Sequence, residues 1–244
     1  MKKLAIFVPI YNEERIVERN LRKILSEAKR QGLDIILYAV DDSSKDTTSK
    51  ILKNLEKKFP ALRYIRYENG PSRRENLAKA MALATEPYLM FMDLDLATDL
   101  KNLRRIYDYL ERGEDVATGS RYCTNSKVRR GLFRLFVSRI YNLFMRIYFR
   151  SRLKDHQCGF KGFRRDAFQE MTKIAGYDSK KWRGWFWDAE MMIIAQKKGY
   201  KIVEFGIEWD EGKQSSFNLW RELRMVPYVL MLPLKLMRIK PKKA

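Results

Sequence analysis

Two aspartates one residue apart, Asp93 and Asp95, close an apolar run of strand length, Tyr88-Leu89-Met90-Phe91-Met92. The apolar side chains gain by burial, whereas each carboxylate needs water, a cation or hydrogen-bond donors. A buried strand whose carboxyl end opens into a cleft satisfies both, with the Asp pair at its mouth. Once the strand gives way to a turn, both carboxylates can reach one divalent cation. Their hard oxygens suit Mg²⁺ or Mn²⁺, ions that keep positions open for phosphate oxygens. Asp-x-Asp by itself equally describes a solvated turn, so the reading depends on its surroundings. Two other strand ends carry polar clusters: Tyr11-Asn12-Glu13 after Lys3–Ile10, and Asp41-Asp42 after Asp34–Val40. Three such ends converging is a stronger signal than any one of them.

The elements that must position these residues follow from hydrophobic periodicity. KLAIFVPI and DIILYAV are almost unbroken apolar runs, the pattern of strands buried on both faces. Helices are predicted from Tyr11 to about Gln31, stopped by Gly32, and from about Thr47 to Phe59, closed by Pro60. Leu62 to Tyr67 reads as a strand and Glu75 to Ala84 as a helix, with the strand ending at Asp93 next. This alternation predicts an α/β fold: a parallel sheet with helices on both faces, and ligands beyond the carboxyl ends of the strands. Further on, Leu103–Leu110 reads as a helix, Asp115–Thr118 as a strand, and Lys201–Trp209 as strand-like. A helix begins at Asp188-Ala189-Glu190 and ends near Lys198-Gly199.

A chain of 244 residues, 45% of them hydrophobic, can bury one substantial core, which predicts a single domain with an appendage. Cys123 and Cys158 lack metal-ligand spacing, so a reduced, cytosolic chain without disulfides is expected. The first residues enter a strand pattern directly, predicting no secretory signal. No apolar stretch reaches the ~20 residues of a spanning helix. The net charge of +20, from 50 Lys and Arg against 30 Asp and Glu, favours anionic partners: nucleic acid, phosphate-bearing substrates or an anionic membrane surface. Nucleic acid is disfavoured, because the aromatics sit in apolar runs and no reader motif is present.

Six motifs in order carry a resemblance: Val8-Pro9-Ile10-Tyr11-Asn12-Glu13-Glu14, Val40-Asp41-Asp42-Ser43-Ser44-Lys45-Asp46-Thr47, Asp93-Leu94-Asp95, Gly119-Ser120-Arg121-Tyr122, Asp155-x-x-Cys158-Gly159-Phe160-Lys161 and Trp187-Asp188-Ala189-Glu190. Over roughly residues 4 to 215 the chain resembles family-two glycosyltransferases of the A-type fold, nearest to the polyprenyl-phosphate (dolichyl-phosphate) hexosyltransferases. The resemblance implies a Rossmann-like, mostly parallel sheet flanked by helices, with basic amphipathic membrane-facing helices. It implies inverting transfer of a hexose from UDP-glucose or GDP-mannose to a polyprenyl phosphate at the cytoplasmic membrane face. Pro9, Tyr11, Glu13, Val40 and Asp42 would bind the donor nucleoside, and Asp93, Leu94, Asp95 and Arg121 its diphosphate, with Mg²⁺ or Mn²⁺ on Asp93 and Asp95. Asp155 would orient the sugar or acceptor, and Asp188 would line the site. The local alternatives are a helix N-cap for Asp41-Asp42, a surface position for Arg121 and a cap for Asp188. His156, the sole histidine, reads first as a loop hydrogen-bonder.

Three departures stand out. Ala97 replaces a glutamine frequent in relatives, leaving water or Asp99 as the third metal ligand. Gly70-Pro71-Ser72-Arg73-Arg74 stands where relatives carry Gly-Lys-Gly. Asp210-Glu211 replaces an arginine, with Lys213 the nearest cation. The Trp209-Asp210-Glu211-Gly212 version leans toward the glucosyl branch.

The acceptor side rests on two amphipathic stretches. Residues 129–152 place Leu132, Phe133, Leu135, Phe136, Ile140, Leu143, Phe144, Ile147 and Tyr148 on a broad helical face with arginines at its borders. Such a helix either packs on the core with a solvated basic side or lies among lipid headgroups. Arg134 and Ser138, one turn apart, resemble acceptor-phosphate contacts, and Lys213 would join them. The expected organisation is a catalytic domain over 1–217, with 129–152 as an inserted interface helix, and a membrane-associated tail over 218–244. The competing readings are a polysaccharide or other lipid acceptor, and an inactive basic membrane-binding protein.

Overall fold

The structure of the protein, a computed structural model, describes residues 2–72, 74–177, 183–210, 225–237 and 239–241. The elements in chain order are β1 (Leu4–Ile10), α1 (Val17–Arg30), β2 (Ile35–Asp41), α2 (Thr48–Lys58), β3 (Leu62–Arg66), α3 (Glu75–Ala82), β4 (Tyr88–Met92), α4 (Leu103–Glu111), β5 (Val116–Ser120), β6 (Lys127–Arg129), α5 (Leu132–Tyr148), β7 (Phe160–Arg164), α6 (Arg165–Ala175), α7 (Trp187–Lys198), β8 (Ile202–Gly206), β9 (Glu208–Asp210) and α8 (Val226–Leu236). A seven-stranded sheet runs in the order β3-β2-β1-β4-β7-β5-β8, and β6 and β9 form a separate pair.

The unbroken apolar strands are explained by cores on both faces of the sheet. Leu4, Ile6, Val8 and Ile10 of β1 join α1, α2 and α4 on one side, while Ala5 and Phe7 join α3, α6 and α7 on the other. β4 divides likewise, with Tyr88, Met90 and Met92 on the first side and Leu89 and Phe91 on the second. α7 is buried from Trp187 to Ala195, including the carboxylates Asp188 and Glu190, which pair with Arg74 and Arg183. Val229, Leu232 and Leu236 of α8 belong to the same core.

β1 pairs in parallel with β2 and β4, β2 with β3, and β5 with β8. β7 is inserted between β4 and β5 and runs antiparallel to both, a reversal that strand–helix alternation does not predict. Its consequence is functional. Met92 pairs with Phe160, so the loop over 155–159 arrives at the rim where β4 ends.

The helix expected to open at Tyr11 begins instead at Val17. Asn12 takes a left-handed backbone conformation (φ 55°). Its N–H donates to Ser44 Oγ (3.0 Å) and its Oδ1 accepts from Lys45 N (2.8 Å). Glu14 accepts from the Thr47 hydroxyl (2.7 Å). These bonds stitch the loops after β1 and β2 together and displace the first helical turn.

Candidate active site

The parallel strands deliver their polar ends to one rim. Ile10 pairs with Asp41, and Pro9 with Val40, so the residues after β1 and β2 emerge side by side. Val40 is buried, Pro9 and Glu13 are half-buried, and Tyr11 is exposed at the mouth. Burial, and then the neighbouring Asp95 and Asp46 carboxylates, push the Glu13 pKa above the usual range.

Asp41 and Asp42 are not N-caps of α2, whose entry is bonded by Asp46 Oδ1 accepting from Thr48 N (3.0 Å). Asp41 is fully buried and accepts from Ser44 N (2.9 Å), Ser49 Oγ (2.7 Å), Tyr64 Oη (3.0 Å) and Arg66 Nη1 (2.8 Å). Burial opposes its charge, but these donors outweigh burial and its pKa is lowered. Asp42 accepts from Ser72 N (2.7 Å), Ser72 Oγ (3.0 Å) and Asn76 Nδ2 (2.6 Å). There burial wins, and its pKa is raised. Gly70 makes this approach possible, since a Cβ there would lie 2.4 Å from the Asp42 carbonyl oxygen.

Asp93 and Asp95 line one small cleft with Thr98, Gly159, Phe160 and Trp209. Asp93 is half-buried and Asp95 exposed. Gly159 lies against Asp93 so closely that a Cβ would sit 1.9 Å from its Oδ2. Asp95 Oδ1 accepts from Ala97 N (3.0 Å), which fixes the turn. Leu94 is buried and its carbonyl accepts from Asn20 Nδ2 (2.9 Å). Among the described residues no three His, Cys, Asp or Glu side chains converge on a point. Asp99, offered as a third ligand, is occupied elsewhere: it caps the turn over Leu100–Asn102 and pairs with Lys101 Nζ (3.1 Å). Two buried polar atoms of the cleft, Thr98 Oγ1 and Trp209 Nε1, have no hydrogen-bond partner. Two carboxylates and the spare Thr98 hydroxyl facing one cleft suit an ion of the Mg²⁺ or Mn²⁺ kind, which takes one or two carboxylates and completes its shell with phosphates and water, while the Trp209 N–H, a donor only, suits an acceptor oxygen rather than the cation.

Arg121 and Asp155, predicted separately, form one unit. The guanidinium grips the carboxylate through Nε to Oδ2 and Nη2 to Oδ1, both 2.7 Å, and the Arg121 N–H adds a third bond at 3.0 Å. Arg121 lies over the Trp209 ring, 5.1 Å from its centroid. Burial disfavours the Asp155 charge, yet Arg121 outweighs it and the pKa is lowered. Arg121 is therefore no surface residue: it sits beside the Asp95 cleft with Asp155 as its partner. Behind it, Glu204 accepts from Asp155 N (2.7 Å) and Lys154 N.

On α5, Arg134 and Ser138 are half-buried and face inward, while Leu132, Phe133, Phe136 and Ile140 face out. Ser138 Oγ bonds Tyr122 Oη and accepts from Arg130 Nη1 (3.1 Å), which places this face of α5 beside the Arg121 segment. Asp188 is buried in the first turn of α7 and reaches Arg74 rather than a backbone cap. Lys213 and Glu211 lie outside the described residues.

His156 is fully buried between Asn142 Oδ1 (2.8 Å) and Ser151 Oγ (2.8 Å), and its backbone N–H also donates to Asn142 Oδ1 (3.0 Å). It tethers the 155–159 loop to α5, as a loop hydrogen-bonder would. Burial lowers its pKa from 6.5 to about 4. Above pH ~6.5 the ring is neutral folded or unfolded and contributes no pH dependence. Between 6.5 and about 4 only the unfolded chain takes the proton, so stability falls with pH. Urea unfolding of the wild type should lose about 2 kcal/mol more than that of His156→Gln between about pH 7.5 and pH 5. Equal pH slopes for the two proteins would refute the assignment.

Sequence reading missed Ser72, Arg74, Asn76, Thr98, Trp209 and Glu204. The available signal was the altered 70–74 segment: charged and polar residues replacing flexible glycines have to bond something.

Known proteins share this sequence pattern and, among solved structures, this fold. AglD, a glycosyltransferase of Haloferax volcanii, is 32% identical over 90% of this chain, which spans 35% of that relative's length. A dolichyl-phosphate beta-glucosyltransferase of Dictyostelium discoideum is 26% identical over 85% of this chain and 66% of its own length. The chain thus spans about a third of the first relative and just short of two thirds of the second. The crystal structure of glucosyl-3-phosphoglycerate synthase from Mycobacterium tuberculosis with UDP superposes with a TM-score of 0.67 at 16% identity, covering 98% of this chain and 81% of that one. Another structure of the same synthase holds Mn²⁺ with UDP-glucose. Residues 5–172 match the family described as Glycosyl transferase family 2. With its mostly parallel sheet, its rim of carboxylates and this match over most of its length, the chain belongs to glycosyl transferase family 2.

Proposed function

We propose that this protein transfers a hexose, with inversion, from a nucleotide-diphosphate sugar to a polyprenyl (dolichyl) phosphate, with Mg²⁺ or Mn²⁺ held by Asp93 and Asp95. The observation that carries the reading is the cleft shared by those two carboxylates, at the same sheet rim as the polar ends of β1 and β2. UDP-glucose is the favoured donor over GDP-mannose, supported by the relative named as a dolichyl-phosphate beta-glucosyltransferase.

Glu13 and Asp42 offer acceptor oxygens to base N–H groups and ribose hydroxyls, and Pro9, Tyr11 and Val40 form the walls around them. Asp42 is oriented for this by Ser72 and Asn76. A bound divalent ion supplies positive charge against the leaving diphosphate. An acceptor phosphate oxygen forms the new bond to the anomeric carbon as the bond to the nucleoside diphosphate breaks on the opposite face. A phosphate monoester is ionised at neutral pH, so no strong general base is required, consistent with a His156 already committed to hydrogen bonds. Arg134 and Ser138 steady the acceptor phosphate, with Lys213 assigned the same task; Arg121 supports the donor diphosphate, and its partner Asp155 orients the sugar or acceptor. Asp188 acts at one remove, through Arg74.

The lipid tail of such an acceptor stays in a bilayer, and the surface supports docking there. α5 exposes Leu132 (83%), Phe133, Phe136, Ile140, Leu143 and Ile147, and α8 exposes Leu230, Met231 and Leu234. Tyr148 Oη donates to the Leu230 carbonyl (3.0 Å), so the two faces adjoin. No helix of the described residues is long and apolar enough to cross a membrane. We assign residues 1–217 to catalysis and 218–244, with the 129–152 insert, to peripheral attachment at an anionic membrane, on its cytoplasmic side. Phe136→Glu with Leu143→Glu should reduce flotation with anionic liposomes about tenfold or more, given ~1.5–3 kcal/mol per large apolar side chain buried. Unchanged flotation would remove α5 from the interface.

Incubation with labelled UDP-glucose, dolichyl phosphate and Mn²⁺ tests the whole reading. Label extracted with the lipid is expected. No transfer from either UDP-glucose or GDP-mannose would overturn it.

A further inference from the structure

Arg74 touches no reacting group in the reaction as drawn, yet it is built into the site. It precedes α3 with a left-handed backbone (φ 86°), a conformation that costs a side-chain-bearing residue energy. Its side chain is 7% exposed and lies between the rings of Phe91 and Trp185, 5.3 and 5.4 Å from their centroids. A guanidinium buried this far must keep an anion beside it. Two are present: Nη2 lies 2.9 Å from Asp93 Oδ1 and 3.4 Å from Asp188 Oδ2.

The two carboxylates are unequal. The Asp93 side chain is 33% exposed and faces the cleft, whereas that of Asp188 is 5% exposed. The unmet hydrogen-bonding capacity is on the Asp188 side: Arg74 Nε has no acceptor, and Asp188 Oδ1 has no donor. Those two atoms are complementary. A fork that turned fully onto Asp188 would gain a second parallel bond and release Asp93. The other oxygen of Asp93 is already pressed against Gly159, so Arg74 covers the freer one.

We infer that Arg74 is a resident counter-ion of Asp93 that a divalent cation must displace, with Asp188 as the position to which it withdraws. This rests on the reading that Asp93 and Asp95 hold the cation. A dication and a guanidinium sharing one carboxylate repel each other, so metal entry and Arg74 withdrawal are coupled. Without metal, Arg74 keeps Asp93 neutralised and positioned. With metal, its charge remains next to the cleft, one carboxylate away from the diphosphate. Asp188 is thus a positioning residue that sets how strongly Arg74 competes.

Mn²⁺ titration followed by electron paramagnetic resonance, without nucleotide, tests this directly on the full chain. Arg74→Met should bind Mn²⁺ about tenfold tighter than wild type, the scale expected when one competing charge is removed. Asp188→Asn should bind it several-fold more weakly, because Arg74 is then held by Asp93 alone. In the Arg74→Met background Asp188→Asn should have no effect. The double variant also removes opposite charges together, so its tightening relative to Asp188→Asn stands as the test if Arg74→Met alone folds poorly. Unchanged or weaker binding on removing Arg74 overturns the inference, as does an Asp188→Asn loss that persists without Arg74. Asp95→Ala separates the two levels. If it retains wild-type Mn²⁺ affinity, the cation-site reading falls and this inference with it. If it loses Mn²⁺ while Arg74→Met is unchanged, only the counter-ion role is refuted.

Discussion

Asp95→Ala should lower sugar transfer by about 100- to 1,000-fold, the loss typical when one preorganised stabiliser of developing charge is removed. Asp95 is exposed at the cleft mouth, and its Oδ1 holds the local turn by accepting from Ala97 N. Its removal should therefore leave the melting temperature within a degree or two, as for surface substitutions. Activity and stability separate in this variant, which is what distinguishes a chemical role from a structural one. Transfer assays with saturating donor, alongside thermal melts, check both halves. Wild-type transfer by Asp95→Ala would mean that charge on the leaving diphosphate is met elsewhere.

Asp155→Asn should do the reverse in emphasis, damaging the fold along with the activity. It removes the anion from a buried bidentate pair whose arginine is 7% exposed on its side chain. Breaking such a pair costs about 3–5 kcal/mol, because the remaining charge is stranded without solvent. For a chain of this size that corresponds to a melting temperature lower by roughly 10 °C. Replacing both members, Arg121→Met with Asp155→Leu, should recover much of that stability without recovering transfer. The exposed Arg22–Glu18 pair, 2.7 Å apart on α1, offers a control whose loss should be far smaller. A full-stability Asp155→Asn protein would show that the pair is not what holds the 155–159 loop to β5.

The features legible in the sequence were those written in local pattern. The apolar runs of β1, β2 and β4 announced strands buried on both faces, and the residues after them announced a polar rim. The Asp93-Leu94-Asp95 turn could be placed at that rim without any structure. β7 could not be oriented in this way. Its direction depends on a long excursion through α5, and periodicity carries no information about strand polarity. The start of α1 was misplaced for a similar reason: Tyr11 to Ile16 have helix-compatible types, but Asn12 and Glu14 are drawn across to the loop after β2. Pairings between distant residues were likewise invisible. Arg121 and Asp155 are 34 residues apart, and Asn76 reaches Asp42 over the same separation. Arg74 illustrates the limit best. Its sequence context showed only a departure from glycine, and the meaning of that departure lies in Asp93 and Asp188, contributed by two other elements.

Sugar transfer by this route requires a divalent ion at the end of β4 that meets the donor diphosphate. Crystals grown with Mn²⁺ and UDP, measured at the manganese absorption edge, locate that ion without ambiguity. The expected result is an anomalous peak touching the carboxylates of Asp93 and Asp95, with the nucleotide lying toward Glu13 and Asp42. A peak elsewhere, or a nucleotide bound away from that rim, would contradict it.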